Sequence, residues 1–297
     1  MNKTFLGYES QPLESSIFSI IPAPFEETAS YVAGQSTAPR AILDASSQVE
    51  DFDEESGLSA IEKGIHVLAP EDAPTGGALE GWVRKQVKQA LAATAVPVIF
   101  GGEGTVSFWG IQELLTTADS LTVLHLDAHA DLADNDQGES HRTVMRRVLE
   151  LNTKQKPLTI YQVGLRSITR QGYDRIIDND QAVDGIFMAD IFRYSDESWH
   201  DDAIQELSSP VYLSIDLSVF DPSVIPAVGN PEPGGFGWWQ MMRFLKKVSA
   251  HRRIAAFDIV ELCPRGDGDI TSDYATAKLA YRLMNYILAG GKMLSKV

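Results

Sequence analysis

One cysteine, six histidines and a shortage of basic residues restrict what this chain of 297 residues can be. Cys263 alone can form neither an internal disulfide nor a cysteine-built zinc site, which suits a reducing cytoplasm. Lysine and arginine number 25 against 41 aspartates and glutamates, giving a formal net charge of −16 and an isoelectric point near 4.7. No basic face for nucleic acid or anionic membrane is therefore expected. The excess suits a cationic small molecule as partner, but it serves solubility just as well. No apolar run reaches the ~20 residues that span a bilayer. Residues 1–10 carry no signal-type apolar stretch, so the expected location is the cytoplasm. Repeats, low-complexity tracts and linker-like composition breaks are absent too. One α/β domain over residues 1–297 is the simplest expectation.

What is present is a core-forming content of 44% hydrophobic residues, with a mean hydropathy of −0.11. Short β-branched runs at 17–21, 66–68, 96–100, 122–127, 158–163, 185–188, 211–216 and 254–260 read as strands. Amphipathic stretches at 38–47, 79–93, 106–116, 143–149, 203–207, 238–248 and 274–288 read as helices. The strands are mostly continuous in hydrophobicity, as they are when helices cover both faces of a parallel sheet. The pattern predicts a three-layer α/β sandwich with a mostly parallel sheet of about eight strands.

The unusual residues gather at strand ends. Gly101-Gly102-Glu103-Gly104 follows Phe100, Asp127-Ala128-His129-Ala130-Asp131 follows Leu126, Asp216 follows Ile215 and Glu261 follows Val260. In open parallel sheets the C-terminal edge is where ligands bind. Carboxylates with an imidazole and no thiolate favour a hard or borderline divalent cation such as Mn²⁺, Mg²⁺ or Zn²⁺. Asp127 and Asp216 could bridge two ions, with His129 and Asp131 each completing one. A pair of ions ~3.5–4 Å apart would share a hydroxide and present it as a nucleophile near neutral pH.

These residues resemble the ureohydrolase superfamily of arginase, agmatinase and formimidoylglutamase, and agmatinase most of all. The resemblance runs nearly the whole length. It is carried by Ile21-Pro22-Ala23-Pro24-Phe25-Glu26 with Thr28, Ser30-Tyr31 and Gly34, and by Ser140-His141 with Val144-Met145-Arg146-Arg147. It continues in Val163-Gly164-Leu165-Arg166-Ser167, in residues 214–222 with Pro231-Glu232-Pro233-Gly234-Gly235, and in Phe257-Asp258-Ile259-Val260-Glu261-Leu262. The resemblance implies the arginase-like α/β fold and metal-dependent cleavage of a guanidinium C–N bond to urea and an amine, with agmatine giving putrescine. It further implies Asp127, His129, Asp131 and Asp216 as metal ligands and Asp131 among the catalytic groups. His141 would carry protons, and Glu261 would hold the substrate guanidinium. Both would bind substrate. Manganese or another divalent ion is the implied cofactor, and a homo-oligomer, trimer or hexamer, the implied assembly.

Two ligand positions depart from the family pattern. The histidine of the Gly-Gly-(Asp/Glu)-His motif is replaced by Gly104, and an aspartate of the second acidic strand end by Ser218. The losses fall on opposite metals, so at most one well-held ion is expected, or none. Glu103 is expected to be structural, His125 to be a satisfied core residue, and His66, His200 and His251 to lie away from the site. The 131–141 loop is about two residues shorter than in typical agmatinases. Arg142 could enter the acidic pocket or point into solvent. Clustered carboxylates must hold a metal, take up protons or recruit a base. Two readings follow: an agmatinase-like hydrolase of a small cationic guanidino compound, or a non-catalytic homologue in ligand binding, regulation or assembly, such as a mixed oligomer with an active paralogue. Arginine as substrate would need a site for its α-carboxylate and amine that the sequence does not display.

Overall fold

A computed structural model describes residues 4–134, 139–178, 182–193 and 197–292. An antiparallel ribbon of β1 (Thr4–Phe5) and β2 (Tyr8–Glu9) precedes eight longer-range strands. These are β3 (Phe18–Ala23), β4 (Ile65–Val67), β5 (Val96–Gly101), β6 (Leu121–Leu126), β7 (Leu158–Leu165), β8 (Val183–Phe187), β9 (Val211–Asp216) and β10 (Ile254–Val260). The helices are α1 (Ala38–Ser46), α2 (Ala78–Ala92), α3 (Thr105–Thr117), α4 (Val144–Leu149), α5 (Arg170–Ile177), α6 (Met188–Ile191), α7 (Trp199–Glu206), α8 (Trp238–His251) and α9 (Thr271–Gly290). The eight strands form one sheet in the order β4-β3-β5-β10-β9-β6-β7-β8, and every neighbouring pair is parallel.

Alternation along the strands feeds two cores. Val98 and Phe100 of β5 face α1, α8 and α9, whereas Ile99 faces α2 and α3. On β10, Phe257 and Ile259 join the first core, and Ala256 and Val260 the second. Both faces are therefore dry, which is why the strands read as unbroken apolar runs.

The strand order creates the site. After β5 the chain skips two places to lay down β6, and β9 and β10 later fill the gap. From β6 the chain adds β7 and β8 outward and β9 and β10 back toward β5, so the C-terminal ends of β5, β10, β9 and β6 stand side by side around a crevice. Val260 pairs with Asp216, and Ile215 with Leu126, so Glu261, Asp216 and Asp127 come level at one edge.

All eight predicted strands are found, with boundaries shifted by a residue or two. Met188 opens α6 rather than ending β8, and Asp127 stands just past β6. Helix α5 was not anticipated. Its buried residues are only Gly172 and Ile176, and its start is set by Thr169, whose Oγ1 accepts the Gly172 N–H at 3.0 Å.

Candidate active site at the C-terminal edge of the sheet

A cavity of 380 Å³ opens at this edge, lined among others by His129, Asp131, His141, Asp216, Glu232 and Glu261. Asp127 lies beneath it, fully buried. Its Oδ1 accepts hydrogen bonds from the His129 backbone N–H at 2.9 Å and from the Ser218 hydroxyl at 2.7 Å, and faces His129 Nδ1 at 3.2 Å. Asp216 caps the turn after β9 by accepting the Ser218 N–H at 2.7 Å. Glu261 is held in a left-handed conformation, φ 69°. Its Oε1 accepts the Gly104 N–H at 2.7 Å, and its Oε2 accepts the Gln35 amide at 3.2 Å. Gly229 lets this happen: a Cβ there would sit 2.7 Å from Glu261 Oε2.

The charges do not titrate alike. Burial and the neighbouring Asp127 charge push the Asp131 and Asp216 carboxyls well above the usual range. Burial lifts Glu261 to about 7. For Asp127 burial acts the same way, but the hydrogen bond and charge of His129 win and hold its pKa down. His129 responds in kind: burial opposes its charge, yet Asp127 raises it to about 10. The acids around His129 thus favour its charged form, and its Nε2 stands 3.5 Å from Glu232.

His125 is buried and bonded, as expected of a core histidine, and its ring also faces a carboxylate of the site. The Gln162 amide nitrogen reaches both Ala130 O at 2.8 Å and His125 Nδ1 at 2.9 Å. An amide nitrogen only donates, so Nδ1 accepts and the ring proton sits on Nε2. That nitrogen faces Asp127 Oδ2 at 3.4 Å. Periodicity places residues 125 and 127 on one face of β6, and this was the only sequence signal available. Gln35 and Glu232 were likewise not singled out as site residues.

Glu103 is structural, as expected: it receives four hydrogen bonds from Glu27 N, Thr28 N, Thr28 Oγ1 and Thr105 Oγ1. His66, His200 and His251 lie outside the cavity lining. Arg142 is exposed at the cavity wall, where its charge bears on Asp131. The shortened 131–141 loop includes residues 135–138, which lie outside the described residues.

Arg166 braces two walls of the site. Its guanidinium donates to the carbonyls of Gly164, Ser218, Phe220, Glu232 and Pro233 at 2.6–3.3 Å. Arg166→Ala is expected to leave these carbonyls unpaired and lower stability by ~3 kcal/mol, measurable as a fall in the urea midpoint; an unchanged midpoint would remove the bracing role.

The donor set suits one divalent ion better than two. Among the described residues, His125, Asp127 and Asp131 bring ligand atoms within 4.8 Å of one another. Asp127 Oδ2 is buried without a hydrogen bond, an acceptor of the kind an ion would satisfy. His125 could join only by moving its proton to Nδ1, where the Gln162 amide already points. Asp127 Oδ1 is already occupied by Ser218 and His129, and Gly104 offers no side chain to a second ion.

A family model for the arginase family matches residues 16–289. The chain belongs to that family. The N(1)-aminopropylagmatine ureohydrolase of Synechocystis sp. is 34% identical over 279 residues, covering 90% of this chain and 88% of the relative. The agmatinase of Pyrococcus horikoshii is 28% identical over 275 residues, covering 91% and 92%. Among solved structures, the agmatine ureohydrolase of Thermoplasma volcanium superposes with a TM-score of 0.80 at 24% identity, over 95% of this chain and 93% of that one. This arginase-family chain thus has the agmatinase-like sequence and the eight-stranded parallel fold that its motifs imply. No helix among the described residues is long and apolar enough to cross a membrane.

Proposed function

We propose that this chain hydrolyses the C–N bond of a small cationic guanidino compound to urea and an amine, using one divalent ion held by Asp127, Asp131 and Asp216. The observation that carries this reading is that Asp131, Asp216, Glu261 and His141 line one cavity in an arginase-family chain. When bound, the ion supplies a water acidified toward neutrality. Glu261, pinned by Gly104 N–H and Gln35, presents a carboxylate to the guanidinium, and the arriving cation draws it back into its ionised form. His141 exchanges a proton with the leaving amine. Glu232, at the cavity wall, offers a charge to the far amine of a linear substrate. Agmatine and N(1)-aminopropylagmatine, named in the relatives, are the first candidates.

A second reading, a non-catalytic homologue, is favoured by the hydrogen bonding of Asp127 Oδ1, which is saturated by Ser218 and His129 without any ion. Metal analysis with a urea assay separates the two. The chain saturated with Mn²⁺ is expected to retain no more than one ion and to release urea slowly from one of the two candidates. No urea from either would establish the second reading, and two tightly held ions with rapid turnover would overturn the single-ion assignment.

A further inference from the structure

Thr28 joins the fully buried Glu103 to His141. Glu103 Oε2 accepts the backbone N–H groups of Glu27 at 2.9 Å and Thr28 at 2.7 Å. Its Oε1 accepts the hydroxyls of Thr28 and Thr105, both at 2.8 Å. Four donors converge on a group that only accepts, so the one hydroxyl proton of Thr28 is spent on Glu103. The Thr28 oxygen then has two lone pairs left, and His141 uses both. Its backbone N–H donates at 3.0 Å, and its ring Nδ1 stands 3.0 Å from the same oxygen. With no proton left on Thr28 to give, the hydrogen in that contact belongs to Nδ1.

We propose that Thr28, backed by Glu103, is the positioning residue for His141: it fixes the Nδ1–H tautomer and turns the Nε2 lone pair toward the cavity. Ser30 Oγ, 3.3 Å from Nε2, donates to that lone pair in the absence of substrate. Burial favours the neutral ring. When Nε2 takes up a proton, both ring nitrogens carry hydrogen, and the new charge faces Glu103 across a single hydroxyl. The N-terminal segment around Thr28 therefore has a task beyond shaping the cavity wall. The catalytic value of this arrangement rests on the hydrolase reading above; the tautomer does not.

The test is ¹⁵N-resolved spectroscopy of the histidine rings in the full chain, with the His141 signals assigned by their loss in His141→Gln. The wild-type ring is expected to show a protonated Nδ1 and an unprotonated Nε2. Glu103→Gln makes the sharper prediction. The two backbone N–H groups keep the amide oxygen on their side, so the new NH₂ faces Thr28 and frees its hydroxyl to donate. The tautomer should then invert to Nε2–H. Thr28→Val should abolish the preference and Thr28→Ser should restore it. Where urea release is measurable, Glu103→Gln and Thr28→Val should lower kcat by ~10-fold or more with KM little changed. A wild-type Nε2–H ring, or a Glu103→Gln ring with wild-type signals, overturns the proposal. Absence of activity with the expected tautomers would instead refute the hydrolase reading alone.

Discussion

Restoring Gly104→His and Ser218→Asp together is expected to raise the bound Mn²⁺ toward two ions per chain and urea release by ~100-fold, the scale on which losses around a metal site are felt. The backbone permits the first change. Gly104 has φ −54° and ψ −20°, which any residue adopts. An added Cβ would meet Glu261 Oε1 at 3.7 Å and Asp131 Oδ2 at 4.0 Å, ordinary contacts that start the side chain among the acids. The second change removes the hydroxyl that occupies Asp127 Oδ1 and puts a carboxylate in its place. Without an ion that carboxylate faces Asp127 across a short gap, so the metal-free double variant should melt below the parent. Mn²⁺ at 100 times its dissociation constant should return ~2.7 kcal/mol. Metal content, urea release and melting with and without Mn²⁺ read the three parts separately. A double variant that binds two ions and still releases no urea would mean that the cavity, not the ligand set, blocks turnover.

The second large effect is on pH. In chelator, the protein is expected to lose stability as pH rises from about 6.5 to 9. Burial raises Glu261 from 4.5 to about 7, so its contribution is complete below 4.5 and lost as pH passes through 7. The size is on the order of 3 kcal/mol. His129 has the same sign through its tie to Asp127: its contribution is complete below 6.5 and disappears through about 10. Asp131 and Asp216, both raised by burial and by the Asp127 charge, add to the decline. Asp127 has the opposite sign, but its loss comes only as pH falls below 3.8; His125, His141 and His200, depressed by burial, also have the opposite sign, and their cost appears only as pH falls below 6.5. A divalent ion replaces the departing protons, so Mn²⁺ should stabilise more at pH 8 than at pH 5. Thermal melts in chelator and in Mn²⁺ across this range check both statements. Glu261→Gln should remove the part of the slope between pH 4.5 and 7. A flat profile in chelator would mean that the acids are not packed against one another.

Much of the site was legible because its signals are local. Asp127, Asp216 and Glu261 each follow an apolar run, and a strand ends where its apolar run ends. Their meeting at one edge follows from parallel strands, which all present the same end. Glu103 could be set aside because it stands where the family motif accepts either acid, and its four hydrogen bonds agree. His125 was harder. Its alternation with Asp127 was visible, but whether the ring met a carboxylate or packed as a core residue depended on Gln162, a residue of the next strand. Helix α5 escaped for a different reason: it is tied down by one cap and buries little side-chain surface of its own.

By itself, then, the sequence determined the layered parallel fold, the family and the places of the acids, since each depends on residue type and spacing within a few turns of chain. The absence of a side chain at Gly104 and of a carboxylate at Ser218 was equally plain. Tertiary structure alone decided that Ser218 donates into Asp127, that His129 lies between two carboxylates, and that Thr28 reaches His141 across 113 residues. A hydroxyl or imidazole can donate or accept, and only the neighbours that folding brings to it settle which.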